Sequence, residues 1–294
     1  MFKKFFLCRF VAALLLSPCI APASADTTPS PSQAAANDAG TPIVIGRSFL
    51  VRSDILKDER RINVYLPDDY EKPGLRFPVL YLLDGGAKED FLHIAGLAQI
   101  NSAYGNGKEL IVVGIEGVDR HHDLTSPSDV ASDLKLVPTS GGADSYRSFL
   151  VRELKPWVEA HYRTDGHSAL IGESLAGLFT LETFLRAPQD FDDYIAVSPS
   201  LWWQAGAVSR DIAALLKAQN FKGRRIFIAF DDPAPPPEQA EKDRALQDRV
   251  SAAFAAANPV GLTWRIARPG EGHATIYHPA AQMGLRWLYG SKLP

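Results

Sequence analysis

The chain has 294 residues, with 31 basic and 34 acidic side chains and a formal net charge of −3. That balance excludes nucleic acid and anionic membrane surfaces as partners, since both need a basic face. Its two cysteines, Cys8 and Cys19, lie close to the N-terminus, so no disulfide, thiol nucleophile or cysteine-ligated metal is expected in the body of the chain.

Met1-Phe-Lys-Lys opens a basic stretch, Phe10 to Leu16 is apolar but too short to span a bilayer, and Ala23-Ser24-Ala25 supplies small residues for cleavage. Residues 1–25 thus read as a signal peptide and the protein as periplasmic or secreted. A lipoprotein at Cys19 is the rival reading, opposed by Pro18 where a small residue is wanted. Loss of Lys3, Lys4 and Arg9 would leave 28 basic against 34 acidic residues, a net charge of −6. No membrane association is expected after cleavage. Residues 26–42, rich in Ala, Pro, Ser and Thr, read as a flexible leader. Residues 43–294 are long enough for one large α/β domain with a well-buried core.

Within that domain, Ile43 to Arg52 and Arg60 to Leu66 read as early antiparallel strands. Continuous apolar runs follow at Val79 to Leu83, Leu110 to Ile115, Ala169 to Ile171, Tyr194 to Val197 and Ile226 to Phe230, and Leu262 to Ala267 reads as a further strand. Such runs suit parallel strands covered on both faces. Tyr146, Phe149, Leu150, Leu154, Trp157, Val158 and Tyr162 mark one helical face, and Ala245 to Ala257 and Gln282 to Tyr289 are also helical in pattern. Alternating strands and helices predict a mainly parallel central sheet with helices on both faces, the α/β-hydrolase arrangement, with ligands beyond the carboxyl ends of the strands.

One peptide concentrates the chemistry. Ser168-Ala-Leu-Ile-Gly-Glu-Ser-Leu-Ala-Gly177 runs from a strand into a helix with Ser174 at the bend, flanked two residues away by Gly172 and Ala176. A serine on such a turn projects its hydroxyl above the sheet as a nucleophile. Chain order then asks for an acid and a late histidine. His273, in a glycine-rich loop after Leu262 to Ala267, is the base candidate, with His278 its rival. The acid is expected just after Ile226 to Phe230, where Asp232 is preferred narrowly over Asp231, with Glu238 third and a dyad lacking an acid still open. The Leu175 N–H, at a helix start, and the Gly86 N–H, in Asp84-Gly85-Gly86-Ala87, are the candidate oxyanion donors. Trp202 and Trp203 are candidates for an aromatic substrate wall, or for simple burial. Arg120 is a candidate for lining the entrance. His121, His122 and Asp123 lack the spacing of a metal site, so neither metal nor cofactor is expected.

The segments Tyr81-Leu-Leu-Asp-Gly-Gly86, Gly141-Gly-Ala-Asp-Ser-Tyr-Arg-Ser-Phe-Leu150, Glu153-Leu-Lys-Pro-Trp157, the serine elbow, Ser198-Pro-Ser-Leu-Trp-Trp203 and Gly272-His-Ala-Thr275 together resemble the esterase D-like family, over most of the chain from about Ile43. The branch it resembles most acts on iron-chelator (siderophore) trilactone esters. The resemblance implies Ser174 as nucleophile, His273 as base, and Gly86 with Leu175 as oxyanion donors. Two positions differ: Glu173 stands where many members carry histidine, and Ala176 where they carry glycine. The expected function is therefore a serine esterase acting on a small-molecule siderophore-type or aryl/acyl ester. Acyl transfer, or ligand binding on a hydrolase scaffold without turnover, are the alternatives.

Overall fold

The computed structural model describes residues 40–291 except Pro235, so the expected signal peptide and nearly all of the leader lie outside the described residues. One compact unit starts at Ile45. Its elements in chain order are β1 (Arg47–Arg52), β2 (Glu59–Tyr65), β3 (Phe77–Leu82), α1 (Phe91–Ser102), β4 (Ile111–Ile115), α2 (Arg120–Leu124), α3 (Ala131–Leu136), α4 (Ala143–Phe149), α5 (Lys155–His161), β5 (Thr164–Glu173), α6 (Leu175–Arg186), β6 (Asp193–Val197), α7 (Trp203–Ala218), β7 (Arg225–Ala229), α8 (Pro237–Ala257), β8 (Thr263–Ala267) and α9 (Tyr277–Tyr289).

The strands form one sheet in the order β1-β2-β4-β3-β5-β6-β7-β8. β1, β2 and β4 pair antiparallel, and every pair from β4–β3 through β7–β8 is parallel. This is the mainly parallel α/β sheet expected from the continuous apolar runs. Alternation across the strands divides the core in two. Leu80, Ala169, Ile171 and Phe227 face one side, covered by α1 and α9, while Tyr81, Leu170, Tyr194 and Ile228 face the other, covered by α4 to α8.

Three helices differ from expectation for physical reasons. The amphipathic stretch around Tyr146 to Tyr162 is interrupted by a π-turn at Leu150–Leu154, just before Pro156. Proline has no N–H to continue the ladder of bonds, and the helix widens there. α8 begins at Pro237, eight residues before the apolar pattern starts, because its first turns are solvated and only Gln247, Val250 and Phe254 are buried. Proline fits the first helical position, so Pro237 opens the helix. α1 buries Phe91, Ile94, Ala95 and Ala98 at helical spacing, but Leu92 and Ile100 on its open face obscure the pattern.

The helix behind the serine is the most deeply held element. Every residue of α6 from Leu175 to Leu185 is buried, so its apolar side chains leave no solvated stripe. Phe184 sits at its centre, stacked on Phe221 at 4.7 Å and edge-on to Tyr194 at 5.3 Å. Emptying that site leaves a cavity that rigid neighbours cannot fill. Phe184→Ala is expected to cost about 3–5 kcal/mol of stability, read as a lower midpoint in denaturant unfolding with an unchanged slope.

Candidate active site

The carboxyl ends of β3, β5, β6, β7 and β8 converge on one edge of the sheet, and the chemistry-bearing residues lie just beyond them. Ser174 follows β5 with φ +60° and ψ −118°, a backbone conformation that L side chains rarely adopt. It persists because the neighbourhood over-determines it. Its N–H donates to the Val197 carbonyl at 3.1 Å. A Cβ at Gly172 would lie 2.6 Å from the Ala176 backbone, and one at Gly177 only 2.4 Å from the Val197 carbonyl oxygen. The tight second glycine is thus Gly177. Ala176 is accommodated because its methyl group packs over the bare Gly172.

The structure brings His273 to this serine. Its Nε2 lies 3.0 Å from Ser174 Oγ, the separation needed for proton transfer. On the far side of the ring, Nδ1 lies 2.7 Å from Ser198 Oγ and 3.6 Å from Asp231 Oδ2. Gln247 of α8 holds Asp231 in place, its Nε2 donating to Oδ1 at 3.1 Å. Asp232 points elsewhere: its side chain is half exposed and 3.9 Å from Arg244, while its N–H donates to the Glu271 carbonyl. Neighbouring residues of an extended segment face opposite ways, so only one of the pair can reach the ring. The preference for Asp232 is therefore corrected to Asp231. Glu238 is exposed in the first turn of α8, paired with Lys242 at 2.8 Å, and is no part of the site. His278 stands against His93 at the start of α9.

Of the two expected oxyanion donors, Leu175 lies on the cavity wall at the first position of α6, where its N–H has no acceptor within the helix. Gly86 is corrected: its N–H is already donated to Glu89 Oε2 at 2.7 Å, and it does not line the cavity. The tryptophan pair divides. Trp202 lines the cavity, whereas Trp203 is buried with its indole N–H donating to Ser126 Oγ at 3.3 Å. Arg120 and His121 both line the cavity, and a buried ion pair between Arg60 and Asp123 ties their helix, α2, to β2. Asp84 grips Arg120 through two bonds, 2.7 Å to Nη2 and 3.2 Å to Nε. The whole encloses about 520 Å³.

Ser198, Asp84 and Glu173 are the participants that sequence reasoning did not assign. Glu173 Oε1 lies 3.5 Å from His273 Nε2, on the serine's side of the ring. Burial pushes its carboxyl up to about 7, with the His273 and Arg120 charges opposing and Asp90 and Asp84 reinforcing. Burial likewise lifts Asp90 to about 6, Asp84 adding to it. Pairing with Asp231 raises His273 above the ordinary histidine range, with burial opposing and Glu173 assisting. Burial drives Asp231 upward, but bonding to His273 and Ser198 outweighs it and holds the carboxyl below its usual range.

A serine, a histidine and a carboxylate at the strand ends of a parallel sheet define a serine hydrolase of the α/β class. The family model described as "Putative esterase" matches residues 53–254, and the chain belongs to that esterase family, as its sequence motifs implied. It is 29% identical over 236 residues to ferri-bacillibactin esterase BesA of Bacillus subtilis, covering 73% of this chain and 80% of that protein. To the siderophore triacetylfusarinine C esterase of Aspergillus fumigatus it is 30% identical over 150 residues, 49% of this chain and 51% of that one. Among solved structures, an IroE-like serine hydrolase from Shewanella oneidensis superposes with a TM-score of 0.76 at 26% identity, covering 83% of this chain and 79% of its own.

Two measurements follow from the charges. Asp231→Asn is expected to lower kcat by roughly 10²-fold or more and to move the acid limb of the kcat/KM profile to lower pH, because His273 loses the partner that raises it. Asp232→Asn should leave both unchanged. Glu173 is raised in the folded state, so its contribution to stability is complete in acid and is lost as pH rises through about 7. Glu173→Gln should therefore raise the unfolding midpoint at pH 8 and leave it nearly unaltered at pH 4.

Proposed function

We propose that the protein hydrolyses a carboxylic ester through an acyl-enzyme on Ser174. The observation that carries this reading is the 3.0 Å contact between Ser174 Oγ and His273 Nε2 at a turn whose strain exposes the hydroxyl. Nε2 takes the serine proton as Oγ attacks the ester carbonyl, and the carbonyl π electrons move onto oxygen. The Leu175 N–H meets that developing charge. Collapse of the tetrahedral intermediate expels the alcohol, which takes the proton from Nε2. Water then repeats the sequence at the acyl carbonyl and frees the acid. Ser198 Oγ accepts a hydrogen bond from Nδ1–H and fixes the tautomer, and the Asp231 carboxylate 3.6 Å from Nδ1 stabilises the imidazolium between steps.

The names of the similar proteins support a siderophore-type ester as substrate, and Trp202 on the wall suits an aryl or acyl group. The competing idea of a binding protein without turnover drew its support from an unassigned acid, and Asp231 supplies a carboxylate opposite His273. Export to the periplasm or medium belongs to the same proposal, supported by the basic opening, the short apolar run and the small residues before Asp26. N-terminal sequencing of the exported protein should then begin at Asp26; recovery of intact Met1 outside the cytoplasm would contradict it.

Ser174→Ala is expected to lower kcat on p-nitrophenyl esters by roughly 10³-fold or more, with the fold intact by circular dichroism. Turnover close to that of the unaltered protein would remove Ser174 from the reaction.

A further inference from the structure

Beyond the reacting groups, the cavity wall includes the apolar side chains of Leu136, Val137, Leu201, Trp202 and Leu246. Its charges are unequal. Arg120 is the single lysine or arginine that lines it among the described residues, and Asp84 already engages that guanidinium through two bonds. Two carboxylates line it, Asp231 beside His273 and Asp243 on α8, the latter bonded only to the neutral Gln239 amide at 2.9 Å. Glu173 adds a third acidic group behind the wall, 3.5 Å from His273 Nε2 on the serine's side of the ring. The sequence as a whole is also acidic.

A cleft in which carboxylates outnumber the guanidinium presents a net negative field to whatever enters. An anionic substrate would meet carboxylates without a free cation to pair with, and would lose its hydration shell as it entered. Repulsion of this kind is an ordinary way to exclude a competing ligand. From these charges we propose that the site selects uncharged esters with an apolar acyl part and discriminates against anionic ones. The inference rests on the esterase reading above and narrows its substrate class.

The test compares p-nitrophenyl valerate with p-nitrophenyl hemisuccinate, similar in length and different in charge, on the full chain at alkaline pH. The neutral ester should have at least about tenfold higher kcat/KM. Added salt should raise the hemisuccinate value several-fold while barely moving the valerate value, since screening weakens repulsion. Asp243→Lys should narrow the gap as well, and the salt series on the unaltered protein stands without that variant. Equal or faster hemisuccinate turnover, or a gap insensitive to salt, would overturn the proposal. Hydrolysis of neither ester would overturn the esterase reading itself, and the charge rule with it.

Discussion

The turn at Ser174 is the constraint on which the rest of the site depends. A serine at φ +60° is costly by about 1–3 kcal/mol, and it holds only because the surroundings leave no alternative. Val197 receives its N–H, Gly172 lets the Ala176 backbone approach, and Gly177 lets the α6 backbone pass the Val197 carbonyl. The burial of α6 on every side supplies the stability against which that strain is set. The same turn delivers three things at once: an exposed hydroxyl, a helix N-terminus beneath it, and a fixed distance to the loop after β8.

Around that hydroxyl, function is a matter of how one imidazole is shared. His273 has a hydroxyl and a carboxylate on each side: Ser198 with Asp231 at Nδ1, and Ser174 with Glu173 at Nε2. The two carboxylates differ in environment. Asp231 is bonded and stays ionised, whereas Glu173 is buried among other acids and titrates near neutrality. One therefore orients the base steadily, and the other couples the site to pH. The acidic character that supports the histidine also sets the field a substrate must enter.

Much of this was legible in the sequence where the signal is local. Continuous apolar runs found the parallel strands, and the strand-serine-helix pattern found Ser174 together with its helix. The late glycine-rich loop pointed to His273, because chain order restricts the choice. What could not be read depended on side-chain direction or on tertiary partners. Asp231 and Asp232 are neighbours in sequence, and only the fixed twist of the segment after β7, with Gln247 reaching from α8, decides between them. Gly86 looked like a free donor, but Glu89, three residues on, folds back onto its N–H. Trp202 and Trp203 were indistinguishable until α7 turned one inward. The start of α8 was hidden because a solvated helix turn carries no apolar period.

The central claim is that Ser174 is a nucleophile activated by His273. Labelling with a fluorophosphonate, followed by intact-mass and peptide mass spectrometry, examines both halves together. A single adduct on the peptide containing Ser174, formed far more slowly in His273→Ala, is the expected result. An unlabelled Ser174 under conditions that inactivate the enzyme, or labelling that proceeds equally fast without the imidazole, would contradict it.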